Sequence, residues 1–153
     1  MDLILWRHAE AEDAGDGEGD MQRSLTSKGE RQAERMAEWL NRRLTHSTRI
    51  VASPAVRCQQ TAKAIGRKFR TLPEIAPGAS AQTVLQASGW PDGAHPVLVV
   101  GHQPTLGLVA SLLLTGVAQP WAVKKAAVWW LRRRAHSDDG EIVLHAMQSV
   151  DAL

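Results

Sequence analysis

Two arginines and two histidines lie where short apolar runs of the sequence come to an end. Arg7 and His8 follow the first run, Arg57 comes one helical turn after the end of a second run at Ser53, and His102 follows a third. Guanidinium groups bind oxyanions through paired N–H donors, and an imidazole can attack phosphorus. Side chains of these types, brought to one place, predict a site for a phosphoryl group.

We expect His8 to act as the nucleophile, because a side chain anchored at the end of a rigid strand can attack phosphorus and become a phosphohistidine. Arg7 would bind the phosphoryl oxygens. His102 and Arg57 would spread the charge on the equatorial oxygens, which is where most of the catalysis of phosphoryl transfer lies. No metal ion or other cofactor is expected, because the cationic side chains supply the stabilisation that Mg²⁺ often provides.

The elements that would position these residues follow from the apolar pattern. Runs bounded by turn residues predict strands at residues 3–6, 49–53, 96–100, 126–131 and 141–147. Helical spacing and caps predict helices after Thr26 or Ser27, from Pro54 to about Phe69, near Ala81–Ala87 and over Thr105–Leu114. Three shorter signals are a Ser27–Glu30 capping box, a segment near Leu72–Ile75 compatible with a short strand, and the hairpin turn HSDDG at 136–140.

This order of elements predicts an α/β fold in one domain that covers residues 1–153. The continuous apolar run at 96–100 is typical of a central parallel strand covered on both faces. We therefore expect a three-layer α/β/α sandwich with a mostly parallel central sheet and an antiparallel edge. Ligands of open α/β sheets bind beyond the carboxyl ends of the strands, which is where the two arginines and two histidines lie.

Four blocks of the sequence resemble, in order and spacing, the motifs of the histidine phosphatase superfamily. They read LWRHAEAE, LTSKGERQA, VASPAVRCQQTA and VVGHQP, and the resemblance as a whole covers Leu3 to Gly107. Within the superfamily the chain is most similar to the short SixA-type phosphohistidine phosphatases. The resemblance implies a phosphoglycerate mutase-like fold, with His8 as nucleophile and Arg7, Arg57 and His102 as the phosphate pocket. It also implies a signalling protein that carries phosphohistidine, such as a phosphotransfer domain, as substrate and inorganic phosphate as product.

The sequence departs from the superfamily pattern after its first motif. Ala9 stands where the superfamily's Arg-His-Gly motif has glycine, which is a mild change. The mutase branch typically continues with Glu-Ser and then Asn, whereas this chain has Glu10-Ala11 and then Ala14. These differences disfavour a phosphoglycerate mutase.

The general acid is the residue that the sequence identifies least well. Larger superfamily members place a Glu after the second arginine block, and here the compact segment LPEIAPG offers only Glu74. An alkoxide leaving group is strongly basic and needs a proton donor, whereas imidazole has a pKa of about 6.5 and leaves easily. A weak or missing general acid therefore favours phosphohistidine as the substrate.

Two other functions remain open at this point: a phosphatase of small phosphate monoesters, and an inactive module that binds phosphorylated proteins. Metal sites are disfavoured. In the acidic loop that begins at Asp13, the twelfth position of a calcium loop counted from Asp16 is Ser27, where a calcium loop needs a glutamate. A zinc ion on His8 and His102 would be repelled by the neighbouring arginines.

The composition excludes several classes of partner. A formal net charge of +2 is too small to indicate nucleic acid, and the single cysteine, Cys58, excludes an intrachain disulfide framework. The uninterrupted apolar stretch Thr105–Ala118 is shorter than the roughly 20 residues of a membrane span. We expect a cytoplasmic protein without membrane or nucleic-acid partners. The basic clusters Lys124-Lys125 and Arg132–Arg134 fit either a solvated sheet edge or a docking patch for an acidic partner.

Overall fold

Six strands form one mixed sheet in the computed structural model of the chain, which describes residues 1–134 and 140–153. The strands are β1 (Asp2–Arg7), β2 (Arg49–Ala52), β3 (Arg70–Thr71), β4 (Val97–Gly101), β5 (Val128–Arg133) and β6 (Ile142–Gln148). Their order across the sheet is β3-β2-β4-β1-β5-β6. The first four strands pair in parallel, while β5 and β6 form an antiparallel edge. This topology confirms the predicted α/β sheet.

Four helices cover the two faces of this sheet in the described part of the chain. They are α1 (Ser27–Asn41), α2 (Val56–Lys63), α3 (Ala81–Ser88) and α4 (Thr105–Thr115). Ile4 and Trp6 of β1 belong to one buried cluster with α1 and α2, whereas Leu3 and Leu5 belong to a second cluster with α3 and α4. Because successive side chains of a strand point to opposite faces, one strand serves both cores. The result is the predicted three-layer sandwich. None of the described helices is long and apolar enough to cross a bilayer.

Strand β4 lies at the centre of the parallel part of the sheet, as its apolar sequence predicts. All five of its residues are buried, because β1 and β2 flank it and helices cover both faces. Burial of this kind contributes roughly 1.5–3 kcal/mol for each large aliphatic side chain. The strand therefore anchors the turn that follows it, where His102 lies.

The second helix is shorter than predicted. It begins at Val56, not at Pro54, and it ends at Lys63, well before Phe69. At its start, Ser53 Oγ accepts the Ala55 N–H at 3.2 Å, and such local side-chain bonds compete with helix formation. After Lys63, backbone hydrogen bonds join residues three apart as far as Gly66. The φ of 73° at Gly66 prevents the helix from continuing.

Two other local predictions were wrong. The strand near residue 72 is instead β3 at Arg70–Thr71, followed by a 3₁₀ turn at Pro73–Ile75, because Pro73 has no N–H for a sheet ladder. The first helix is capped by Thr26, whose Oγ1 accepts the Gly29 N–H, so Ser27 is the first helical residue and the predicted capping box does not form. The hairpin turn HSDDG, apart from its glycine, lies outside the described residues.

Candidate active site

The structure brings the four predicted residues together at the carboxyl edge of the sheet. β1 and β4 are parallel neighbours, and His8, which follows β1, donates its backbone N–H to Gly101 O at 3.1 Å. The imidazole centroids of His8 and His102 are 5.3 Å apart. Arg57 Nη2, from the first turn of α2, lies 3.4 Å from His102 Nδ1. Two imidazoles and a guanidinium thus face one another.

His8 is held in the form that a nucleophile requires. Its Nδ1 lies 2.8 Å from the carbonyl oxygen of Ala9. Because a carbonyl only accepts, Nδ1 carries the proton and Nε2 keeps its lone pair. Burial is the main cause that lowers the pKa of His8 to about 4, and the positive charges of Arg57 and Arg7 act in the same direction. The ring is therefore neutral near pH 7.

A hydroxyl ties the loop that follows His8 to helix α2. Thr61 Oγ1 accepts the Ala9 N–H at 3.1 Å and donates to Arg57 O at 2.7 Å. Both Ala9 and Thr61 are fully buried. Thr61 thus fixes the backbone beside His8 relative to the backbone of Arg57. Thr61 was not among the predicted site residues. Its position inside the block VASPAVRCQQTA was the only signal for it in the sequence.

Arg57 is buried and binds an acidic residue that the sequence analysis assigned to a solvated loop. Its Nη1 donates to Asp20 O at 2.8 Å and its Nη2 to Asp20 Oδ2 at 3.0 Å. Asp20 Oδ1 in turn accepts Arg23 Nη1 at 3.1 Å. The hydrogen bonds from Arg57 and Arg23 lower the pKa of Asp20. An ionised carboxylate therefore occupies the donors with which Arg57 would bind an oxyanion.

Each of the two arginines of the site has one buried guanidinium nitrogen without a hydrogen-bond partner among the described residues. Arg7 Nη1 donates to Val123 O at 2.8 Å. The Nε atoms of Arg7 and Arg57 are buried and have no hydrogen-bond partner among the described residues. Buried donors without a partner are costly. The positive charges of Arg57 and Arg7, which both act on the pKa of His8, suit an anionic ligand such as a phosphoryl group.

His102 is oriented by neutral groups behind it. Its Nε2 lies 2.7 Å from Ser53 Oγ and 3.4 Å from Cys58 Sγ. Burial is the first cause that lowers the pKa of His102 to about 3, followed by the charges of His8 and Arg57. Burial also raises the pKa of Cys58 to about 12, so Cys58 is a thiol and no nucleophile. Because a guanidinium only donates, His102 Nδ1 accepts from Arg57 Nη2, and the proton of the neutral ring lies on Nε2, where Ser53 Oγ accepts it.

Glu74, the predicted acid, is not among these residues. Its side chain is exposed on the 3₁₀ turn after β3 and lines a surface cavity with Arg70 and Thr83. Within the described residues it forms no hydrogen bond or ion pair, so its role as an acid stays a prediction. No group of three or more His, Cys, Asp or Glu residues in the same part of the chain could hold a metal ion.

Comparison with known proteins agrees with this geometry. Residues 3–80 match the profile of the histidine phosphatase superfamily, branch 1. The phosphohistidine phosphatase SixA of Escherichia coli (strain K12) is 31% identical over 129 residues, which cover 78% of each chain. A SixA homolog of Haemophilus influenzae is 30% identical over 128 residues, covering 74% of this chain and 77% of the homolog.

The fold comparison leads to the same superfamily. A solved structure of the protein histidine phosphatase SixA complexed with tungstate superposes with a TM-score of 0.80 and 26% identity, covering 99% of this chain and 98% of the other. The chain belongs to the histidine phosphatase superfamily, branch 1.

Proposed function

We propose that this protein is a metal-independent phosphohistidine phosphatase that works through a covalent intermediate on His8. In the first step, the Nε2 lone pair attacks phosphorus, an Nε2–P bond forms, and the bond from phosphorus to the substrate imidazole breaks. In the second step, water attacks phosphorus, the Nε2–P bond breaks, and inorganic phosphate leaves. The sum of the two steps is the hydrolysis of phosphohistidine to histidine and phosphate.

The phosphoryl group would be held by Arg7, Arg57 and His102. The single observation that supports this most directly is the convergence of a neutral His8, the His102 ring 5.3 Å from it and the buried Arg57 guanidinium 3.4 Å from His102. Donors aimed at developing charge stabilise a phosphoryl transition state more than any other contribution of the protein. We further propose that one domain, residues 1–153, contains the complete site.

The choice of phosphohistidine as substrate rests on the leaving group and on the relatives. Asp20, the acidic residue bound to Arg57, has a lowered pKa and is therefore a poor proton donor. Imidazole, with a pKa near ~6.5, leaves with little help, whereas an alkoxide does not. The relatives from Escherichia coli and Haemophilus influenzae bear the names of a phosphohistidine phosphatase and its homolog. A phosphorylated signalling protein is therefore the proposed partner.

Turnover of a chemically phosphorylated histidine protein, an aryl phosphate and an alkyl phosphate, measured side by side, tests this function. The wild type should hydrolyse phosphohistidine fastest and should retain an acid-labile phosphoryl label during turnover. His8→Ala should lose both the label and the activity while the fold persists. Substantial activity of His8→Ala would refute the mechanism. Much faster hydrolysis of the alkyl phosphate would transfer the assignment to a small monoester.

A further inference from the structure

Two segments of opposite charge border the proposed phosphoryl pocket. On the Arg57 side, Asp20 is the last residue of an exposed loop that also carries Asp13, Asp16 and Glu18. On the Arg7 side, the guanidinium donates to Val123 O, and Lys124 and Lys125 follow directly. We call the acidic loop 13–20 and the basic turn 124–127 together the bipolar rim.

The basic turn is fixed to the nucleophile by its backbone. Ala126 donates its N–H to His8 O at 3.1 Å, and Ala127 donates to Lys124 O at 3.0 Å, which closes a tight turn. Ala126 adopts a φ of 62°, although its side chain is fully buried and a residue with a Cβ disfavours this region. The turn keeps this strained backbone because it is anchored at both ends. Lys125, at its tip, is exposed within one residue of the amide that binds His8.

The exposed charges of the rim are largely free to meet a partner. Lys124 pairs with Asp151 at 3.2 Å, but both side chains are mostly exposed, and such a pair contributes little. Lys125 forms no ion pair with any described residue, and neither do Asp13, Asp16 and Glu18. The chemistry proposed for the pocket uses none of these side chains. Their effect is therefore expected on substrate encounter and orientation.

We propose that the bipolar rim docks a segment of the phosphorylated protein in which the phosphohistidine has basic residues on one side and acidic residues on the other. The basic side would face the acidic loop, and the acidic side would face Lys125. This inference rests on the proposed function and specifies the class of protein surface that the enzyme accepts. Since charge pairs at an exposed rim steer association and set orientation, the preference should weaken as salt is raised.

Three phosphohistidine peptides of equal length test the inference. One carries Glu on one side of the phosphohistidine and Lys on the other, one carries Glu on both sides, and one carries Lys on both sides. Wild type should show the highest kcat/KM with the mixed peptide, by about two- to fivefold for each matched side at low salt. The mixed peptide should have the highest kcat/KM whether its Glu side is N-terminal or C-terminal to the phosphohistidine, because the peptide can bind in either direction. The test therefore does not depend on the orientation of the peptide.

A charge-reversal variant and a matched control make the test specific. Lys125→Glu reverses the charge of the one lysine of the basic turn that has no ion pair among the described residues, and Lys124 stays paired with Asp151, so the peptide with Lys on both sides should become the best substrate. Lys68→Glu reverses an exposed lysine beside the start of β2, at the opposite edge of the sheet, and should keep the wild-type order. Peptide rates are divided by the p-nitrophenyl phosphate rate of the same variant, so that changes within the pocket cancel.

The outcomes separate this inference from the proposed function. Equal turnover of all three peptides, an unchanged order in Lys125→Glu, or a change of order in Lys68→Glu as well would each overturn docking by the rim and leave the phosphohistidine activity standing. Hydrolysis of p-nitrophenyl phosphate without hydrolysis of any peptide would overturn the proposed substrate and the docking inference with it. The expected result is that wild type hydrolyses the mixed peptide fastest and that Lys125→Glu hydrolyses the peptide with Lys on both sides fastest. This result supports both the proposed function and docking by the rim.

Discussion

Removing the Ser53 hydroxyl should impair catalysis, because this hydroxyl accepts the proton of His102 and so keeps that proton on Nε2. Ser53 is fully buried, and its Oγ accepts the Ala55 N–H at 3.2 Å. It also accepts the ring proton of His102 from Nε2, 2.7 Å away, because Nδ1 faces a guanidinium that can only donate. Nδ1 thereby accepts from Arg57 Nη2 at 3.4 Å and holds that guanidinium beside the pocket. Among the described residues, Ser53 carries the only hydroxyl within hydrogen-bond distance of His102 Nε2, so Ser53→Ala removes the group that selects this tautomer.

The expected size of the effect follows from the burial of the site. In Ser53→Ala, His102 Nε2 loses its 2.7 Å partner, and an unsatisfied buried polar group costs about 1–3 kcal/mol. If the whole of that cost appears as lost stabilisation of the transition state, kcat/KM decreases about 5- to 150-fold. The loss should appear in kcat for phosphohistidine and aryl phosphate alike, because the phosphoryl group is common to both. Ser88→Ala, which truncates another buried serine on α3, is the matched control.

Steady-state kinetics and ¹⁵N-detected imidazole spectra check this reasoning independently. The spectra should show His102 with its proton on Nε2 in the wild type and a mixture of tautomers in Ser53→Ala. Ser88→Ala should retain wild-type kinetics whatever it does to stability. The reasoning fails if Ser53→Ala stays within about twofold of the wild-type kcat/KM, which is less than 1 kcal/mol of lost stabilisation. It also fails if the wild-type spectra place the proton on Nδ1.

Four further outcomes follow from the same geometry. Arg57→Lys should lower kcat/KM about 10- to 100-fold, because a point charge cannot reproduce the two-pronged donor, and a rate equal to wild type would place Arg57 outside the pocket. Asp20→Asn should strengthen inhibition by vanadate, because it removes the carboxylate that competes for Arg57, and unchanged inhibition constants would contradict this competition. The free energy of unfolding should decrease as the pH falls from about 6.5 towards 4. Below that starting pH, His8 and His102 take up protons in the unfolded chain but not in the fold, where their pKa values are lowered to about 4 and about 3. Urea titrations of wild type and His8→Gln would measure the contribution of His8 to this decrease. Glu74→Gln should leave phosphohistidine turnover near wild type, and it should slow an alkyl phosphate only if Glu74 reaches the leaving group.

The sequence by itself determined the sheet and the layers, and it predicted the two arginines and two histidines that the fold brings together, because these depend on patterns that are local in the chain. The run from Leu3 to Trp6 can bury both faces only inside a covered sheet, and Arg7 and His8 must then emerge at its carboxyl end. The same reasoning placed His102 after a central strand. Boundaries were less accurate at Pro54 and Leu72, where a serine hydroxyl and a proline change the backbone bonding of a few residues.

The tertiary structure alone decided which groups complete and border the pocket. Asp20 bonds to Arg57 across 37 positions of sequence, Ser53 bonds to His102 across 49, and the Arg7 side chain reaches the carbonyl of Val123 across 116. No local periodicity encodes such pairs, since each depends on how separate helices and loops pack against the sheet. The basic turn lies beside His8 for the same reason: β5 returns antiparallel to β1, which brings residues far apart in the chain to the mouth of one site.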